Sequence, residues 1–120
     1  MRKFAVVGAM MAGLLLSGCV GQSTDLDDGW KLIKAKDYAA ARAQYQSILA
    51  ESPNNPYANL NLGVALEELG DNELAAKHYQ LAIANGKDAQ IVEVSQDGNA
   101  ADRSTTVSKV AEENLASLGS

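Results

Sequence analysis

The sequence predicts an all-α fold: two helical hairpins and a C-terminal capping helix, with a short irregular or extended linker before that last helix. Three observations predict it. Identical residues recur 34 positions apart, in the pairs Leu26/Leu60, Gly29/Gly63, Leu32/Leu66, Asp37/Asp71, Ala41/Ala75, Tyr45/Tyr79, Gln46/Gln80 and Ala50/Ala84. A fixed period of this length is the mark of a repeat architecture, in which each unit buries its apolar face only against its neighbours. Within each copy the apolar residues fall at helical spacing, and each copy is interrupted once, at Lys36-Asp37 and at Gly70-Asp71.

Residues 1–18 read as an address rather than as part of the fold. Arg2-Lys3 is followed by a run from Phe4 to Leu16 that contains only apolar residues and Gly, closed by Ser17-Gly18-Cys19. As a helix, such a run would reach about 20 Å, short of a hydrocarbon core of ~30 Å. Small residues directly before a cysteine resemble the lipobox of bacterial lipoproteins. That resemblance implies cleavage before Cys19, a diacylglycerol on its thiol (palmitate being a typical acyl chain) and an acylated new N-terminus. In enterobacterial lipoproteins an Asp after the cysteine is associated with inner-membrane retention. Val20 stands there in this sequence, so the resemblance implies a cell-envelope protein anchored in the outer membrane and facing the periplasm. Residues 19–24 would then be the lipidated cysteine and a short tether, since Val20 to Thr24 show no apolar periodicity. Removing the address takes away Arg2 and Lys3 and moves the net charge from −5 to −7. Nucleic acid is excluded as a partner, because its binding depends on Lys and Arg neutralising phosphates.

The first copy, about residues 23–55, carries Leu26, Trp30 and Ile33, breaks at Lys36-Asp37, and resumes with Tyr38, Ala41, Tyr45, Ile48 and Leu49 before Pro53-Asn54-Asn55. Asp25, Asp27 and Asp28 fall in its opening turn, where they complement the helix dipole. The second copy, residues 56–86, opens at Pro56, carries Leu60, Leu62, Val64, Leu66 and Leu69, breaks at Gly70-Asp71, and continues through Leu74, Ala75, Tyr79, Ala82 and Ile83 to Asn85-Gly86. Residues 25–86 are therefore two helix–turn–helix units.

Leu62-Gly63, Gly70-Asp71, Ala75, Tyr79 and Ala82 in the second copy, with Gly29, Asp37-Tyr38, Ala41, Tyr45 and Pro53-Asn54-Asn55 in the first, resemble a pair of tetratricopeptide repeats. The small residues stand where paired helices must approach, and the tyrosines fill the gap toward the next helix. Asp28 departs from the pattern where the family has a Leu, and Lys87 stands where a closing Pro belongs. The resemblance implies a concave groove, lined by the first helix of each repeat, that holds an extended peptide or a partner helix. Carried over residue by residue, the groove comprises Leu26, Asp27, Trp30, Ile33 and Lys34 from the first copy and Tyr57, Leu60, Asn61, Val64 and Glu68 from the second. Trp30 and Tyr57 are the expected anchors, since aromatic residues dominate peptide interfaces. A clamp for a peptide C-terminal carboxylate is disfavoured, because Asp27 and Glu68 oppose Lys34 and Asn61.

Linker 87–103 contains the alternation Ile91-Val92-Glu93-Val94 and a turn at Gln96-Asp97-Gly98-Asn99. Its apolar residues either pack against the second repeat or form an edge strand for a partner. Residues 104–118 form the capping helix, started by Ser104 or Thr105 and apolar along Val107, Val110, Ala111, Asn114, Leu115 and Leu118.

Catalytic chemistry finds no support. Glu67-Glu68 and Glu112-Glu113 are adjacent pairs on helices, and adjacent side chains there diverge. His78 has no nucleophile or metal-ligand spacing around it, so it reads as a surface or edge histidine, and no cofactor motif is present. The expected function is that of a membrane-anchored, non-catalytic scaffold for a protein or peptide partner in the envelope, similar in layout to accessory factors of pilus and secretion machines. The alternative is a structural lipoprotein that self-assembles as a homo-oligomer.

Overall fold

The helix starts follow from side chains that satisfy free backbone N–H groups. In the computed structural model, which describes residues 4–6, 20–95 and 100–119, helix α1 spans Val20–Lys34, α2 Tyr38–Glu51, α3 Pro56–Glu68, α4 Asn72–Asn85 and α5 Val107–Leu118. Asp37 accepts from Ala40 N at 3.2 Å, Asn55 from Ala58 N at 3.1 Å, Asp71 from Leu74 N at 3.2 Å and Thr106 from Lys109 N at 3.3 Å. Each contact ties one of the donors that a helix N-terminus leaves unpaired. Pro56, with no N–H to lose, occupies the first position of α3.

The two hairpins turn in the same way. Lys36 N donates to Ile33 O and Asp37 N to Leu32 O, both at 2.9 Å; one period later Gly70 N donates to Glu67 O at 3.0 Å and Asp71 N to Leu66 O at 2.9 Å. Reversing the chain this tightly needs a left-handed residue, and φ is +61° at Lys36 and +88° at Gly70. Glycine adopts that conformation without steric cost, whereas the Cβ of Lys36 must be accommodated.

Packing runs in series. α1 lies on α2, α2 on α3, α3 on α4 and α4 on α5, while α1 touches α3 and α3 touches α5. Alternate helices therefore share one side of the array. The core joins Leu26, Trp30 and Ile33 of α1 to Tyr45 of α2, to Leu60, Val64 and Leu66 of α3, to Tyr79 of α4 and to Val107 and Val110 of α5.

The predicted capping helix is present and starts later than expected. Its cap is Thr106, the last residue of a strand that also takes in Ser104 and Thr105. β2, Gln90–Ser95, pairs antiparallel with β3, Ala100–Thr106, in the register Gln90↔Thr106, Ile91↔Thr105 and Val92↔Ser104. The expected extended stretch is β2; the returning strand β3 is an addition to the predicted linker. The expected turn at Gln96–Asn99 lies outside the described residues. The hairpin is closed at its base where Val107 N donates to Ala89 O at 2.9 Å, and Ser108 N reaches Gly86 O at 3.1 Å. Ser108 Oγ adds a bond to Ile83 O at 3.0 Å. Residues 52–55 separate α2 from α3, and residues 86–89 separate α4 from the inserted hairpin. α5 thus arrives where the first helix of a third repeat would begin.

Two differences concern the N-terminal part. Val20 to Thr24, expected to form a tether, is the beginning of α1. Nothing between Val20 and Asp25 breaks a helix as Pro would, and each residue added to a helix already held by packing gains a backbone bond without a new nucleation cost. Asp25, Asp27 and Asp28 consequently lie beyond the first turn of α1. β1, Phe4–Val6, pairs antiparallel with β2, so the sheet order is β1-β2-β3. The rest of the expected address, together with Cys19, lies outside the described residues.

Candidate peptide-binding face

Each hairpin is held by one contact that dictates two residue types. A Cβ on Gly29 would stand 2.6 Å from Tyr45 Cζ, and a Cβ on Gly63 would stand 2.5 Å from Tyr79 Cε1. Both tyrosines are fully buried. The glycine removes the atom that would collide, and the phenol ring takes the space, which sets how closely α1 and α2, or α3 and α4, approach. Asn61 then joins the two hairpins: its Nδ2 donates to Tyr45 Oη at 3.1 Å, and Tyr45 Oη donates to Leu26 O at 3.4 Å. Burial pushes the Tyr45 phenol well above its ordinary range, so it stays protonated and able to donate.

This packing divides the expected groove residues. Asp27 and Lys34 are exposed, and Tyr57 and Glu68 are half-buried. Trp30, Asn61 and Val64 are buried, as are Leu26, Ile33 and Leu60. With 3% of its surface exposed, Trp30 in the full chain packs between helices and does not present itself to a partner. Asn61 is likewise engaged in joining the repeats. The accessible members of the set are Asp27, Lys34, Tyr57 and Glu68.

Tyr57 has a role that its sequence context did not suggest. Its Oη donates to Gln90 O at 3.1 Å, fastening the first residue of β2 to the start of α3, and burial raises its pKa. His78 also does more than occupy an edge. Asn59 Nδ2 donates to Pro53 O at 3.2 Å and to Asn55 O at 3.1 Å, which leaves Asn59 Oδ1 to accept from His78 Nδ1 at 2.9 Å. The pair ties α4 to the turn between the repeats, and burial lowers the His78 pKa, favouring the neutral ring. A scan for ligand or nucleophile spacing could not find this contact, because the partner of His78 is an amide side chain that backbone carbonyls hold in place.

The exposed ion pair of Lys31 Nζ with Asp28 Oδ1, at 3.1 Å, is too solvated to add much stability. Among the described residues no group of three or more His, Cys, Asp or Glu side chains could hold a metal ion. No described helix is long and apolar enough to cross a membrane.

The described residues form a serial array: small-residue helix pairs, a tyrosine in each gap, and first helices aligned on one side. The tetratricopeptide repeat pattern matches residues 26–89, just over half of the chain. The chain belongs to the tetratricopeptide repeat family. No curated protein and no solved structure matches it. Tetratricopeptide repeats are in general non-catalytic scaffolds for protein–protein interaction, and the helical array described above has that form.

Proposed function

We propose that the protein is a lipid-anchored scaffold that holds a protein or peptide partner in the bacterial cell envelope. The tandem repeat carries the binding part of this reading: α1 and α3 lie side by side, and Asp27, Lys34, Tyr57 and Glu68 are accessible upon them. The anchoring part rests on Cys19 standing immediately ahead of α1 and behind an apolar run with small residues at its end. With α1 beginning at Val20, two or more acyl chains on Cys19 would hold the first repeat against the bilayer with almost no intervening tether. Val20 after the cysteine favours the outer membrane. The layout, a lipid anchor joined to two repeats, resembles that of accessory factors of pilus and secretion machines, and the narrower reading rests on that resemblance alone.

Two measurements test the two parts separately. The mass of the mature N-terminus should correspond to Cys19 carrying acyl chains; an unmodified thiol or a retained Met1 sinks the anchor. For the scaffold, Tyr57→Ala and Lys34→Glu should each weaken capture of the partner from envelope extracts by about tenfold, the loss expected for a contact worth ~1.4 kcal/mol, with helicity unchanged. Undiminished capture by both variants would move the binding face elsewhere.

A further inference from the structure

β2 is the middle strand of the sheet only because Phe4–Val6 lies on it. The register is Phe4↔Ser95, Ala5↔Val94 and Val6↔Glu93, and β1 also lies against α3 and α5. On the reading proposed above, residues 1–18 are removed, and this edge loses its strand. The rest of the hairpin does not depend on β1. β3 pairs along the other edge of β2, Tyr57 Oη holds Gln90 O, and Val107 N closes the base on Ala89 O. An unpaired strand edge is a template for another extended chain.

Beside that edge stands α3, where every residue from Ala58 to Glu67 is buried in the full chain. Such a run covers all sides of a helix. α2 and α4 cover two of them, α1 and α5 touch it more lightly, and β1 lies against it as well. Departure of β1 therefore uncovers the part of α3 it lies on, next to a free strand edge, the arrangement used when a peptide is bound by strand addition.

We infer that the free edge of β2 and the adjoining face of α3 form a docking site for an extended apolar strand of a partner polypeptide, with the chain's own Phe4–Val6 as its occupant before processing. The occupant's chemistry is read from the strand that is seated: an uncharged, apolar triplet, preceded in sequence by Arg2-Lys3. Basic residues before such a strand suit a chain whose net charge is −7 without residues 1–18. A second copy suits it less, since two chains of −7 repel.

The test uses the unprocessed full chain made by cell-free synthesis, with a labelled synthetic peptide of residues 2–8 as probe and fluorescence anisotropy as readout. A Phe4→Asp/Val6→Asp chain, its edge vacated, should bind the peptide about tenfold or more tighter than the unaltered chain, because a tethered strand competes at roughly millimolar effective concentration. A peptide carrying the same two Asp substitutions should not bind. Absence of peptide binding to the vacated chain, or equal binding of the Asp peptide, overturns the inference. Concentration-dependent dimerisation of the vacated chain in sedimentation overturns it in favour of a second copy. If that variant loses helicity by circular dichroism, Ala5→Pro serves with the same readout. As a check on register, Ala5→Cys with Val94→Cys in a Cys19→Ser chain should form a disulfide, and failure to do so removes β1 from the edge. None of these readouts depends on cleavage or lipidation, so the anchor and the docking site can fail independently.

Discussion

The two repeats are alike inside and unlike at their outward joints. Inside each, a glycine on the first helix admits a tyrosine from the second, with would-be contacts of 2.6 Å at Gly29 and 2.5 Å at Gly63. At the outward joint of the first repeat, the next repeat supplies Asn61, and the Tyr45 hydroxyl is bonded on both sides. At the outward joint of the second, α5 supplies Asn114 in place of a third repeat. Tyr79 Oη lies near Asn114 and Glu67, yet it makes no well-formed hydrogen bond among the described residues. The internal contact is written twice in the chain; the outward contact depends on whichever helix arrives next. α5 has the apolar face to close the array without reproducing the hydrogen bond that a true repeat provides.

The largest expected effect tests the likeness. Gly29→Ala and Gly63→Ala should each destabilise the fold by about 2 kcal/mol in urea unfolding, because a buried tyrosine ring must move and neighbouring helices with it. Similar losses at both positions would show that the internal joints are equivalent, whereas a loss of less than about 0.5 kcal/mol at one would break the comparison.

The next effect tests the difference. Tyr45→Phe removes a bonded hydroxyl and takes a partner from the Asn61 amide, a loss of about 1–2 kcal/mol. Tyr79→Phe removes a hydroxyl that makes no well-formed bond and should change stability by no more than about 0.5 kcal/mol. Equal losses in chemical denaturation would mean that α5 completes its joint as Asn61 does.

The smallest effect concerns the turns. Gly70→Ala places a Cβ at φ +88° and should cost about 1 kcal/mol, whereas Lys36→Gly relieves the same conformation and should add about 0.5 kcal/mol. Thermal melting of the two variants should shift in opposite directions. A Lys36→Gly protein no more stable than its parent would show that glycine's greater freedom in the unfolded chain offsets the relieved strain.

Much of the array was legible because its instructions are local. Asp37 and Asp71 both mark a break and cap the helix that follows it, Pro56 opens α3, and Gly86 follows the last residue of α4. The buried set Val107, Val110, Ala111 and Asn114 on α5 was visible as helical spacing. The binding face was less legible. Spacing placed Trp30 and Tyr57 on first helices but could not distinguish an aromatic ring buried between helices from one left accessible. That distinction depends on which elements pack against α1 and α3, contacts between residues far apart in sequence. His78 was similarly opaque, because its partner Asn59 is chosen by how α4 crosses α3.

By itself the sequence determined the repeat length, the positions of the turns and where the glycines and tyrosines recur, since these arise from period and capping within about one repeat. That each tyrosine packs on the glycine of its own hairpin came from the structure. The sequence also contains the apolar run from Phe4 to Leu16 and the Cys19 that follows, on which the proposed anchor rests. Tertiary structure alone decided that Ala100–Thr106 returns as a strand, that α5 stands where a third repeat would begin, and that Phe4–Val6 lies on the edge of β2. Strand pairing brings together backbone groups that almost any residue can supply, so nothing in Phe4-Ala5-Val6 names Glu93, Val94 and Ser95 as its neighbours. Only the folded array, which holds that edge beside α3, makes the choice.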